Sequence, residues 1–188
     1  MKLIIFFIIA AILLRLTPHV PNFAPITAIA LFGGAYLSKK TAIFLPLIIM
    51  VISDYLLLYW TGNSFNFQKL ISPLSLFHST TLFVWGSFFI SSLIGIYISK
   101  RKSVTNVFAA SLIASIQFFI ITNFGVWAMR TMYPNNLEGL IQSYIMGLPF
   151  LRTTLLGDLF YSGAFFGGFE LAKLISKKHQ LLPLKNNK

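Results

Sequence analysis

Residues 104–127 read VTNVFAASLIASIQFFIITNFGVW, a run without a single acidic or basic side chain. A helix rises about 1.5 Å per residue, so this run is long enough to cross the roughly 30 Å hydrocarbon core of a bilayer. It also lacks the alternation of polar and apolar residues that a transmembrane β-strand requires. The run therefore predicts a transmembrane helix.

The composition of the whole chain agrees with that prediction. Of its 188 residues, 56% are hydrophobic and only 10% are charged. A soluble domain carries about 25% charged residues to keep its surface hydrated, and a disordered chain has the opposite bias towards polar residues. Both classes are excluded, and an integral membrane protein remains.

Further apolar runs resemble the first one in length or composition. The six runs cover residues 3–16, 26–37, 41–60, 76–99, 104–127 and 150–175. The first run lacks a small-residue cleavage site, so we expect it to be retained and not removed as a signal peptide. The sequence thus predicts an all-α integral membrane protein, a single transmembrane domain over residues 1–188 with six helices.

The basic residues predict the orientation of these helices. Fifteen Lys and Arg stand against four acids, giving a net charge of +11. With both termini inside, eleven of them fall on the cytoplasmic side, namely Lys2, Lys39, Lys40, Lys100, Arg101, Lys102, Lys173, Lys177, Lys178, Lys185 and Lys188. This N-in/C-in arrangement follows the positive-inside rule. It accounts for the excess charge without a nucleic-acid partner.

The remaining polar side chains gather towards the other side. The other four basic residues, Arg15, Lys69, Arg130 and Arg152, lie there, and the candidate site residues are Arg15, His19, Asn22, Asp54, Asn123, Trp127, Arg152 and Asp158. A charged group inside a bilayer is costly, so such residues mark functional sites by default. We interpret them as the lining of a cavity open to the outside, with the 18–25 loop as its lid. The alternative is structural: Asp54 and Arg15 would pair with Arg152 and Asp158 to hold the bundle together.

Catalysis and metal binding have little support. The chain has no cysteine, and its three histidines and four acids show no metal-ligand spacing. Asp54 and Asp158 would suit an intramembrane hydrolase, since that chemistry needs two carboxylates at one site, but no flanking motif supports it. We expect neither an enzyme nor a cofactor.

Two small-x-x-x-small pairs, Ala110 with Ala114 and Gly163 with Gly167, are expected to pack helices together.

Several motifs resemble a known family. They are residues 15–35 (RLTPHVPNFAPITAIALFGGA), Ser53-Asp54, residues 122–127 (TNFGVW), Tyr133-Pro134, Gly139-Leu140 and residues 148–158 (LPFLRTTLLGD). Together they resemble a bacterial family of small membrane transport proteins of unassigned function. That family is in turn similar to the substrate-binding S components of energy-coupling factor (ECF) vitamin transporters.

The resemblance implies a fold and a function. S components are six-helix proteins of the inner membrane that bind a vitamin-sized solute beneath their outer loops. A coupling subunit and ATPases are the implied partners. The chain departs from the family pattern here, because its first helix carries adjacent Ala10-Ala11 and no Ala-x-x-x-Ala docking face. We therefore expect solute binding and uptake, alone or with such partners. The alternative is a membrane scaffold that binds a protein partner and retains no solute.

Overall fold

A computed structural model of the chain describes residues 22–60, 79–130 and 132–181, together with positions 5, 9, 10, 13 and 14. The helices are α1 Ile26–Tyr36, α2 Lys39–Trp60, α3 Thr81–Ile98, α4 Val104–Ala128, α5 Leu137–Ser162 and α6 Gly168–Leu181, with a π-helical turn at Gly163–Gly167 between α5 and α6. Within these ranges the chain forms no strand. The all-α prediction is confirmed for the part of the chain that the structure describes.

Two helices, α3 and α4, are long and apolar enough to cross a membrane, judged by length and composition. By contrast, α1 is apolar but has only 11 residues, about 16 Å of helix. The described residues thus agree with a membrane-associated helical protein. The finer prediction of six spans goes beyond this observation.

The helix α1 lies at the centre of the bundle. Each of its residues from Ile26 to Ala35 is buried, and it packs against α2, α3 and α5. A methyl group added to Gly34 would overlap the backbone of α3 at Ser92, and one added to Gly95 would overlap the backbone of α1 at Leu31. The two helices therefore touch backbone to backbone, which small residues make possible.

A proline in α2 supplies a second link to α3. Pro46 lies inside α2 and has no N–H to donate to the carbonyl of Ala42 one turn earlier. The hydroxyl of Ser92 in α3 donates to that carbonyl at 2.9 Å. Both Ser92 and Ala42 are completely buried, so the bond gives a buried oxygen a donor in place of the amide that proline lacks.

One end of the bundle collects basic residues and is called the basic end below. It contains the short turn between α1 and α2, the 99–103 turn between α3 and α4, and the start of α6. Here the hydroxyl of Tyr36 donates to Glu170 at 2.6 Å, and Lys173 forms an ion pair with the same carboxylate at 2.8 Å. These contacts join the end of α1 to α6.

The structure differs from the sequence prediction at α5. The apolar run at residues 150–175 predicted a helix from about residue 150, but α5 begins at Leu137. Its first turn carries Glu138, and the side chain of Asn136 accepts a 2.8 Å hydrogen bond from the Gly139 amide, as a helix N-cap does. Pro149, one residue before the predicted run, lies inside the helix.

Candidate functional site

The short helix α1 begins in the interior of the protein. The chain enters it through Asn22, whose φ of 62° is in the left-handed region, one that Asn tolerates better than most residues. Phe23 then lies against Gly157 of α5, where an added Cβ would come within 3.1 Å of the Phe23 Cα. Pro25 precedes the helix and offers no side-chain cap. The first amide groups of α1 are thus buried without a cap from their own segment.

A carboxyl group from α5 lies at this N-terminus. Asp158 is 1% exposed, and its Oδ2 accepts a hydrogen bond from the hydroxyl of Ser115 in α4 at 2.7 Å. The hydroxyl of Thr27, in the first turn of α1, donates to the same carboxyl group. Because the N-terminal end of a helix carries partial positive charge, an acidic group is favourable here. Asp158 therefore ties α1, α4 and α5 together.

The other end of α1 has the opposite charge beside it. The ammonium group of Lys102 donates to the carbonyl of Ala35 at 3.4 Å and also to the carbonyl of Ser99. It lies 4.9 Å from the centre of the Tyr36 ring. A cation at a helix C-terminus is favourable for the same electrostatic reason. The buried helix thus has an acid at its start and a base at its end.

Two adjoining cavities open between the helices on the side of Asp158 away from the basic end. The first, called the wide cavity, has a volume of about 270 Å³. The second, the Asp158 cavity, has a volume of about 190 Å³ and is lined by Asp158 and Thr27. Both are lined by Asn22, Val84, Phe118 and Thr154. The shared residues show that the two cavities meet.

The lining of the wide cavity combines hydrogen-bonding groups with aromatic walls. Its polar residues are Asn22, Thr80, Thr122, Asn123 and Thr154, and its aromatic residues are Phe118, Phe119 and Phe150. The Asn123 amide donates to the Phe119 carbonyl at 2.8 Å. Its Oδ1 lies over Gly147 of α5, where any Cβ would overlap it. Gly147 therefore leaves room for the Asn123 side chain between α4 and α5.

Three of the residues predicted for the site line these cavities: Asn22, Asn123 and Asp158. Asp158 lies opposite Ser115, near the middle of α4. Asp54 lies half-buried on α2 and lines neither cavity.

The other predicted residues lie elsewhere or outside the described ranges. Arg152 is exposed on α5 and, like Trp127, lines neither cavity. The indole N–H of Trp127 donates to the Asn136 carbonyl at 3.0 Å, which fastens the turn before α5. Arg15 and His19 fall outside the described residues.

Sequence reasoning missed the hydroxyl groups of the site. Ser115, Thr154 and Thr27 are buried; Ser115 donates to Asp158, and Thr27 and Thr154 line the Asp158 cavity beside it. A Ser or Thr in an apolar helix commonly bonds to its own backbone, as Thr154 does to Phe150 at 2.8 Å. The spacing of these residues in the sequence does not distinguish a hydroxyl that bonds only to its own helix from one that also bonds to a neighbouring helix.

Residues 1–181 match a family of unknown function, DUF6580. The chain belongs to DUF6580. This membership agrees with the prediction of an uncharacterised family, and the match covers nearly the entire chain. Searches of curated proteins and of solved structures found no match. Similarity of this DUF6580 chain to ECF S components therefore stays a prediction from its sequence motifs.

Proposed function

We propose that the protein binds a small, vitamin-sized solute from the outer side of the bacterial inner membrane and supports its uptake, as an S component does. The observation that carries this proposal is the pair of adjoining cavities that end at the buried carboxyl of Asp158. A purely structural bundle has no need of polar, hollow space at its centre. Binding pockets typically combine apolar walls with a few placed polar groups, which is the composition of these cavities.

The proposed orientation places the basic end in the cytoplasm. Lys39, Lys40 and residues 100–102 are at this end, in agreement with the positive-inside rule. In the proposed multi-pass topology, the six runs predicted from the sequence cross the membrane in turn and leave both termini inside. The last run corresponds to α5 and α6 together. The 11-residue α1 then reaches only about halfway through the roughly 30 Å core, and the cavities occupy the outer half above it.

The lining indicates the chemistry of the ligand. Volumes of about 270 Å³ and 190 Å³ each fall below the range of about 300–1,000 Å³ that is typical of small-molecule pockets, so the ligand has to be compact. Phe118, Phe119 and Phe150 offer faces for a flat apolar body. The Asp158 carboxyl receives hydrogen bonds from Ser115 and Thr27 and has further lone pairs. We propose a compact solute with a ring and with at least one hydrogen-bond donor that reaches Asp158.

The test is mass spectrometry of small molecules retained by the detergent-purified protein. We expect a solute enriched on the wild type and lost from Asp158→Asn, which keeps the shape of the side chain. Arg152→Gln is the control, because Arg152 is on the same helix but lines neither cavity. Equal retention by wild type and Asp158→Asn would exclude Asp158 as a ligand-binding group.

Asp158 also stabilises the fold, so a second variant keeps the test decisive. Thr154→Val removes a hydroxyl that lines both cavities and preserves side-chain volume. We expect folded protein with reduced retention of the solute. Ser143→Ala is the matched control, because this buried hydroxyl donates within its own helix, to the Leu140 carbonyl at 2.9 Å, and lines neither cavity.

The partners are tested in the same preparations. The resemblance implies a coupling subunit and ATPases, which would purify with the chain in mild detergent. A stable protein partner without any retained solute would favour the scaffold alternative. A retained solute without a partner would favour an uptake protein that acts alone.

The orientation has a direct test because the chain contains no cysteine. Lys178→Cys, at the exposed basic end, and Asn135→Cys, in the exposed turn before α5, each introduce a single thiol. In intact spheroplasts we expect a membrane-impermeant maleimide to label only Asn135→Cys. The reverse pattern would invert the proposed topology.

A further inference from the structure

A groove lies between α4 and the π-helical turn, on the half of the bundle nearer the basic end. Its volume is about 290 Å³, and its walls are mainly apolar, with Val107, Phe108 and Phe166 among them. The lining residues run from Ser111 and Leu159 at one end to Lys102 and Glu170 at the other. The groove shares no lining residue with the wide cavity or the Asp158 cavity.

The π-helical turn explains why the groove exists. A π-turn widens the helix locally and often occurs at functional sites. Here it begins and ends with Gly163 and Gly167, both exposed, and a Cβ added to either would meet no atom within 4 Å. We expected this pair to pack against another helix. Within the described residues it instead leaves the floor of the groove open.

The groove has the length of one bilayer leaflet. From Leu159 to Glu170 the chain advances about 16 Å at 1.5 Å per residue. Half of the bilayer hydrocarbon core is about 15 Å thick. An acyl chain that lies in the groove would therefore end near the level of Ser111, while its headgroup would lie at the basic end.

The mouth of the groove carries net positive charge. The carboxylate of Glu170 is already engaged by Lys173 and Tyr36. Lys102 lines the groove, and its ammonium group donates to two carbonyls, which leaves one of its three N–H groups for another acceptor. Arg101 is beside it in the same exposed turn. A basic cluster at the cytoplasmic surface attracts anionic lipid headgroups.

We propose that this groove is a binding site for an anionic phospholipid of the inner leaflet, with one acyl chain along Gly163 and Gly167 and the phosphate at Lys102 and Arg101. The proposal rests on the membrane orientation proposed above and is independent of solute binding. Such a lipid would brace the junction between α5 and α6, where the helix departs from regular α geometry.

Native mass spectrometry of the purified protein with phosphatidylglycerol or phosphatidylcholine of identical chains tests this. We expect about tenfold more phosphatidylglycerol retained by the wild type. Gly163→Leu fills the groove and should lose this lipid. Gly86→Leu is the matched control, since Gly86 on α3 also has open space around a Cβ. Arg101→Gln should reduce the headgroup preference and leave the fold intact.

Three results would overturn the proposal. One is equal retention of the two lipids by the wild type. Another is unchanged retention of phosphatidylglycerol by Gly163→Leu. The third is a lipid-free dimer that Gly163→Leu dissociates, which would make the groove an interface with a second copy of the chain. The solute is followed in the same spectra, so loss of lipid with the solute retained separates this site from the proposed solute site.

Discussion

The hydroxyl of Ser115 donates a 2.7 Å hydrogen bond to Oδ2 of Asp158, which joins α4 to α5 at a point where both side chains are at most 1% exposed. The same carboxyl accepts a hydrogen bond from Thr27 at the start of α1. Three helices therefore depend on one acidic side chain. The proposed solute site and the stability of the bundle share this residue.

Ser115→Ala should destabilise the protein by about 1–3 kcal/mol, because it leaves a buried carboxyl with one hydrogen bond fewer. Thermal unfolding in detergent measures the change. Ser143→Ala provides the comparison and should have a smaller effect, since the Ser143 hydroxyl donates to the Leu140 carbonyl of its own helix. Equal effects of the two substitutions would show that the bond to Asp158 contributes nothing specific.

Gly34→Ala should lower the unfolding temperature clearly. The added methyl group would overlap the carbonyl of Ser92, and overpacking of this kind typically costs about 1–3 kcal/mol. Gly95→Ala should behave alike, because its methyl group would overlap the Leu31 carbonyl. Gly86→Ala, in open space on the same helix as Gly95, should be neutral or stabilising. A destabilised Gly86→Ala would point to a general effect of α3 substitutions.

Ser92→Ala should cost more stability in the wild type than in a Pro46→Ala background. In the wild type the Ser92 hydroxyl donates to the Ala42 carbonyl in place of the amide that proline lacks. With alanine at position 46, a backbone N–H can serve that carbonyl again. A double-mutant cycle of unfolding free energies should give a coupling of about 0.5–1.5 kcal/mol. Strict additivity would contradict the link between Pro46 and Ser92.

Asn22→Gly should separate the backbone role of this residue from its role in the cavity. Glycine adopts the observed φ of 62° without strain, so the variant should fold at least as well as Asn22→Ala. Both variants lack the amide that lines the two cavities, and both should retain less solute. If Asn22→Gly retains the solute as well as the wild type does, the role of Asn22 is confined to the backbone conformation at the entry into α1.

Lys102→Met should destabilise the bundle by about 0.3–1 kcal/mol, because a cation on the exposed surface at the C-terminus of α1 is lost. Lys100→Met, in the same exposed turn, is the control and should change stability little. Unfolding of the two variants is compared at low and high salt. If Lys102→Met is as stable as the control, the contact with the Ala35 carbonyl does not contribute to the fold.

Much of the helical architecture follows from composition and spacing alone. The apolar run at residues 104–127 coincides closely with α4, and the run at residues 26–37 with α1. Apolar helices are recognisable in a sequence because their side chains must match a nonpolar environment along the full length. The start of α5 does not follow from composition in this way. Pro149 and several glycines in that region are typical of loops, yet the packed helix accommodates them.

The candidate site divides in the same way. Sequence alone marked Asp158 and Asn123, because a polar group in an apolar run has to find a partner or a ligand, and it marked Asn22 in the 18–25 loop above them. Only the tertiary structure shows that the partners of Asp158 are the hydroxyls of Ser115 and Thr27. A side-chain partner on another helix depends on how the helices cross and turn relative to one another, and residue spacing within each helix does not contain that information.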